Sequence, residues 1–104
     1  MKTGERGGWI EREDNLSQYD NAWVRDNARV YACVHVFDNA LVSGDACVCD
    51  KAWVFDKARV YGSALVKDNA DICDNALVYD TALIGNTALI RGNAEIRDLK
   101  EILF

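Results

Sequence analysis

The chain has 104 residues, with 12 Lys and Arg against 17 Asp and Glu, a formal net charge of −5 and no proline. One domain is the expectation at this length, and the acidic balance excludes a general nucleic-acid binder, whose phosphate contacts need clustered Lys and Arg. No apolar run reaches the length of a membrane span, and Met1-Lys2-Thr3-Gly4-Glu5-Arg6 lacks the apolar core of a secretion signal, so a cytoplasmic location is expected.

Residues 1–18 read as an N-terminal cap. Gly7-Gly8 before Trp9-Ile10 predicts a turn leading into an apolar plug. Trp9, Ile10 and Leu16 are the candidates for covering the open end of the structure that follows.

Residues 19–97 hold a repeat. From Tyr19 to Ile96 a six-residue unit recurs thirteen times without insertion. Each unit ends in Val or Ile, from Val24 and Val30 to Ile90 and Ile96, and Ala stands two residues earlier, replaced once by Val34. A polar pair precedes the Ala, often Asp-Asn as in Asp26-Asn27 and Asp38-Asn39. The two-residue period of a strand puts Ala22 and Val24 inward and Trp23 and Arg25 outward. The polar pair then turns the chain, with Asn tolerating the left-handed backbone region. The absence of proline suits strands that pair on both sides. Three such units close one coil of a parallel β-helix, so residues 18 apart stack about 4.8 Å from one another. Four coils and one further strand make a prism on the order of 20 Å tall.

This repeat resembles the left-handed β-helix hexapeptide-repeat superfamily across residues 19–96. The resemblance supplies the left hand, because the general rule for parallel crossovers favours the right. Gly7-Gly8-Trp9-Ile10-Glu11, continued by Asn15-Leu16-Ser17, is similar to the cap of small phage and prophage hexapeptide-repeat proteins. That group implies no activity, and its usual longer N-terminal lead-in is missing here.

Residues 98–104 read as a C-terminal capping segment. Ile102 falls in the repeat frame, but Lys100 takes the small inward position. Asp98 as an N-cap, with Leu99, Ile102 and Leu103 at helical spacing, predicts a short helix or tail. The expected fold is thus all-β: a single-domain left-handed parallel β-helix of about four triangular coils, capped at both ends.

Stacking at 18 residues sorts the outward side chains into three faces. The first carries Trp23, Leu41, Arg59, Leu77 and Glu95, beside Arg25, Ser43, Tyr61, Tyr79 and Arg97. The second carries Arg29, Cys47, Leu65 and Leu83, beside Tyr31, Cys49, Lys67 and Gly85. The third carries His35, Trp53, Asp71 and Leu89, beside Phe37, Phe55, Cys73 and Arg91. The first and third faces expose more apolar area than a monomer tolerates well, and aromatics rimmed by Arg are what interface centres contain. The candidate interface residues are Trp23, His35, Phe37, Trp53, Phe55, Tyr61, Tyr79 and Arg91. The competing account is that these rings form stabilising cross-strand ladders. The superfamily's trimers imply a homotrimer.

Asp20, Asp38, Asp56 and Asp74 align at one corner. They suit a turn, or they imitate a row of phosphates. His35 is the only histidine. Resemblance to hexapeptide acyltransferases would make it a general base at a subunit interface. Resemblance to the superfamily's carbonic anhydrases would need three histidines for zinc, which a single one supplies only around a three-fold axis. Cys33, Cys47, Cys49 and Cys73 match no zinc-finger spacing, and read as packing residues in a reducing compartment. Cys47 and Cys49 both point outward, too far apart for an unstrained disulfide. No loop interrupts the coils to build a donor pocket, and a metal or redox site at the Cys47–Cys49 pair would need further ligands that the column does not place nearby, so no catalytic residue, cofactor or metal is assigned. The expected function is that of a non-catalytic, phage-type binding protein that blocks or sequesters a host protein or an anionic small molecule such as a nucleotide signal. Membrane binding and direct nucleic-acid binding are not expected. The rivals are an acyltransferase with His35 as base and a purely structural element of a particle or fibre.

Overall fold

Between Trp23 and Ile96 a new two- or three-residue strand begins at every sixth residue. The computed structural model describes residues 2–3, 9–11, 15–16, 22–97 and 101–103. The strands are short because each unit must spend its remaining residues on a corner, and from Trp23 to Ile96 they stack in parallel at an 18-residue register in three sheets, while at the N-terminal end Lys2–Thr3 pairs antiparallel with Trp9–Ile10. One sheet orders β3 (Trp23–Val24), β6 (Leu41–Val42), β9 (Arg59–Val60), β12 (Leu77–Val78) and β15 (Glu95–Ile96). Another joins β5 (His35–Val36), β8 (Trp53–Val54), β11 (Asp71–Ile72) and β14 (Leu89–Ile90). The third runs through β1 (Lys2–Thr3), β2 (Trp9–Ile10), β4 (Arg29–Val30), β7 (Cys47–Val48), β10 (Leu65–Val66), β13 (Leu83–Gly85) and β16 (Glu101–Leu103). The result is an all-β parallel solenoid of about four turns, measuring 29 × 21 × 19 Å. No helix of the described residues is long and apolar enough to cross a membrane.

The inward positions are those the repeat predicts. Ala22 to Ala88 and Val24 to Ile90 form one continuous buried column set, joined at the top by Ile10 and Leu16. Each buried Val or Ile contributes roughly 1.5–3 kcal/mol before entropy is subtracted.

The corners differ from expectation. The left-handed residue is the first of the polar pair, not the following Asn: Asp26, Asp38, Asp50, Asp56, Asp68, Asp74 and Asp80 all have φ between 55° and 65°. In that conformation a carboxylate reaches along the solenoid axis. The Asp56 N–H donates to Asp38 Oδ2 at 3.2 Å, Asp74 N–H to Asp56 Oδ2 at 3.1 Å, and Gly92 N–H to Asp74 Oδ2 at 3.0 Å. A second corner repeats the ladder from Asp68 N–H to Asp50 Oδ2 (3.1 Å) and from Asn86 N–H to Asp68 Oδ2 (2.9 Å). Asn at the second position donates instead to the next coil's backbone, as Asn39 N–H does to the Asp56 carbonyl at 2.8 Å. At the remaining corner the coils approach more closely. A Cβ on Gly62 would stand 2.6 Å from the Asp80 nitrogen, so only glycine fits there.

The N-terminal end is covered by Ile10 and Leu16, whereas Trp9 faces outward and is 40% exposed. Trp9 therefore is not part of the plug: the strand period turns it away once Ile10 points in. The working cap residue is Asn15, fully buried, whose Nδ2 donates to the Ala32 and Val34 carbonyls at 3.1 and 2.9 Å. It continues a ladder begun by Trp9 N–H to the Ala28 carbonyl and Glu11 N–H to the Val30 carbonyl. At the other end, Glu101–Leu103 is a strand paired parallel with β13, Ile102 in register with Ile84. This replaces the expected helix over these residues, because an isolated turn of helix is marginal while the exposed edge of β13 offers ready ladder partners. Asp98, Leu99, Lys100 and Phe104 lie outside the described residues.

Candidate functional site

Among the candidate interface residues, four come together. On the sheet of β5 and β8, the His35 and Trp53 rings meet edge to face at 5.7 Å between centroids. Phe37 meets the same indole edge to face at 5.6 Å and stacks on Phe55 at 5.0 Å with 2° between planes. Their order follows from register alone, since His35 pairs with Trp53 and Trp53 with Asp71. Edge-to-face and offset-stacked contacts are the favourable geometries for such rings, worth about 0.5–1.5 kcal/mol each beyond their buried area. The ladder thus stabilises the coils, yet Trp53 still stands 44% exposed and Leu89, two strands further down, 47%. Arg91 is exposed at the lower end and separated from the ring cluster by the buried Cys73.

Asp71 lies between Trp53 and Leu89 in the same column. Burial beside these apolar neighbours raises its carboxyl above the ordinary range. Among the described residues it is the carboxylate seated between Trp53 and Leu89 on this face.

Trp23, Tyr61 and Tyr79 belong to another face. Tyr61 and Tyr79 stack at 5.0 Å, and the Tyr79 hydroxyl donates to Glu95 Oε1 at 3.2 Å. The Arg25 guanidinium sits 5.9 Å from the Trp23 ring centroid, a cation–π contact. Beside them an open hollow of about 220 Å³ is lined by Trp23, Arg25, Asn39, Ala40, Leu41 and Arg59.

At the acidic corner, Asp38, Asp56 and Asp74 do align, and each carboxylate already accepts a backbone N–H from the coil below. Asp20 lies outside the described residues. The donor atoms of Asp56, Cys73 and Asp74 fall within 4.8 Å of one another. Burial, then the charges of Asp74 and Asp56, push the Cys73 thiol up and keep it protonated, and both carboxylates are engaged by the ladder. This group is accounted for as a corner.

Sequence reasoning missed two arrangements. One is the Asn15 cap. Glu11 belongs to it, accepting the Ala32 N–H at 2.7 Å as an aspartate does at the corners below. The other is on the second face, where the Cys47 thiol donates to the Tyr31 hydroxyl at 3.6 Å. Hydrogen bonding to Cys47 and then Cys49 holds the Tyr31 phenol well above its usual range. The signal was available, because Tyr31 stands 18 residues before Cys49. Comparisons with protein-family models, curated proteins and solved structures give no match.

Proposed function

We propose that the protein is a non-catalytic binding module: a trimeric, left-handed hexapeptide-repeat β-helix of the phage type. It acts in the cytoplasm by blocking or sequestering a host protein or a nucleotide signal. The observation that carries this reading is the contiguous ring cluster of His35, Phe37, Trp53 and Phe55, with Trp53 exposed at its centre. Rigid aromatic area flanked by polar positions is what binding hot spots are made of. The uninterrupted six-residue spacing of strands from Trp23 to Ile96 also favours binding over catalysis, since a flat sheet face supplies no enclosed pocket for a reacting donor. The hollow beside Arg25 and Arg59 is where an anionic ligand with a planar ring would be held, by stacking and charge.

The test pairs assembly with capture. Sedimentation of the wild type at tens of micromolar is expected to give a trimer, and Trp53→Ser with Phe55→Ser is expected to lower its association. Affinity capture from the natural host, analysed for proteins and small molecules, should lose its partner in the same double variant. A monomeric wild type would sink the trimer. Micromolar acyl-CoA binding lost in His35→Ala would overturn the non-catalytic reading.

A further inference from the structure

The second face carries Cys47 and Cys49 two residues apart on and just beyond β7, so both side chains leave the same side of the sheet. Their surroundings are set by register. Arg29 is directly above Cys47 and Leu65 directly below it. Tyr31 is above Cys49 and Lys67 below, as the Tyr31 N–H to Val48 and Cys49 N–H to Val66 carbonyl bonds show. These four neighbours wall the dithiol, and Cys49 is only 8% exposed although it points outward. The Tyr31 hydroxyl is 3.6 Å from Cys47 Sγ, and it interacts with the Cys49 thiol as well.

We infer that Cys47 and Cys49 form a chelating site for one cuprous ion, closed on one side by the Tyr31 hydroxyl. Cα atoms two apart on a strand are about 6.6 Å from each other, near the upper limit for a disulfide. A metal between the sulfurs, with bonds of about 2.3 Å as in zinc thiolates, spans that separation without moving the backbone. Soft thiolates favour Cu(I), zinc and iron–sulfur clusters; zinc takes three or four protein ligands, whereas closed-shell Cu(I) accepts two in a line. Binding exchanges two S–H protons for one Cu⁺, leaving a bis-thiolate unit of charge −1 and releasing two protons. That negative charge forms between the Arg29 and Lys67 positions, on the face of an otherwise acidic protein where cations stand above and below. Tyr31 is a positioning residue. Its hydroxyl accepts from the Cys47 thiol in the free protein and would donate to the Cys47 thiolate once the metal is bound, fixing the sulfur as outer hydrogen bonds do in metal sites.

The experiment is an anaerobic titration of the full chain with Cu(I), using bicinchoninate as the coloured competitor. The wild type is expected to withhold one copper per chain, with two sulfur ligands in its copper K-edge absorption. Cys47→Ser or Cys49→Ser should weaken binding by a hundredfold or more, while the Cys33→Ser, Cys73→Ser double variant holds copper as the wild type does. Tyr31→Phe keeps both thiols and is expected to lose tenfold or more, with circular dichroism confirming an unchanged fold. Because two protons leave, affinity should fall as the solution is made more acid. The site is refuted if no copper is withheld, if one copper bridges two chains, or if the Cys47→Ser, Cys49→Ser variant binds as tightly as the wild type.

Discussion

Asp56 tests whether the acidic corner is built for stacking. Its φ is 59°, its Oδ2 accepts the Asp74 N–H at 3.1 Å, and its own N–H donates to Asp38 Oδ2 at 3.2 Å. Asp56→Asn keeps a side-chain oxygen and a residue that tolerates the left-handed region, and loses only the charge assistance, about 0.5 kcal/mol. Removing one charge also relieves repulsion with Asp38 and Asp74, so this variant sits nearest the wild type at low salt. Asp56→Gly loses the acceptor, about 1 kcal/mol. The backbone strain that glycine relieves is offset by about 0.5–1 kcal/mol of extra freedom in its unfolded chain. Asp56→Ala loses the acceptor and, without the short polar side chain that eases the left-handed region, bears about 1 kcal/mol more strain than Asp does, for a total near 2 kcal/mol. For a domain of this size that total lowers Tm by roughly 10 °C. Urea denaturation followed by far-ultraviolet circular dichroism measures the series, with the expected order Asn above Gly above Ala. If Asp56→Ala proved as stable as Asp56→Asn, neither the carboxylate ladder nor the corner strain would matter. The alignment of these aspartates would then need a functional account.

Gly62→Ala and Gly92→Ala separate crowding from strain. Both positions have φ of 68°, but a Cβ at Gly62 meets the Asp80 backbone at 2.6 Å and one at Gly92 meets nothing within 4 Å. Thermal melts should show a loss near 3 kcal/mol for the first and near 1 kcal/mol for the second. Asp71 gives a pH prediction. Burial raises its folded pKa above the unfolded value, so the folded state binds this proton more tightly and the native form is penalised as pH rises through the folded pKa. The penalty is absent below the unfolded pKa and complete above the folded one. Asp71→Asn should therefore raise Tm at pH 7 and leave it unchanged at pH 3, and an equal shift at both values would refute the assignment.

Most of the fold was legible because the solenoid converts sequence distance into space at a fixed rate. Once Val24, Val42 and Val60 are recognised as one column, the neighbours of every outward side chain follow by counting, and the observed pairs His35–Trp53 and Leu41–Arg59 are those the count gives. The errors fell where counting does not apply. Trp9 looked like a plug because a large apolar residue near an open end invites that role, but the side of the strand it faces is fixed by Ile10. Asn15 stood in the cap motif without a role assigned to it, because its work is done by a side-chain amide replacing backbone donors, which has no periodic signature. Ile102 was in frame, and helical spacing in Leu99, Ile102 and Leu103 competed with it. The choice depends on the free edge of β13, a feature of the assembled sheet and not of the segment.

The three faces also gain a relief that alternation alone does not show. Ser43, Cys49 and Cys73 occupy the same outward position of their units, yet all are buried. Each lies 18 residues from a large side chain on both sides: Arg25 and Tyr61, Tyr31 and Lys67, Phe55 and Arg91. A small residue between two large ones in a column spaced by about 4.8 Å is roofed over, so an outward position is not an exposed one. This changes how cysteine is read in such a repeat. Cys73 is enclosed beside two carboxylates that are already engaged by the corner, and its chemistry ends there. Cys49 is enclosed beside a second thiol, a phenol and the Lys67 position. The same covering that makes one thiol inert therefore makes the other part of a chelating pair, and what separates them is the residue two places earlier on the strand: Asp71 before Cys73, Cys47 before Cys49.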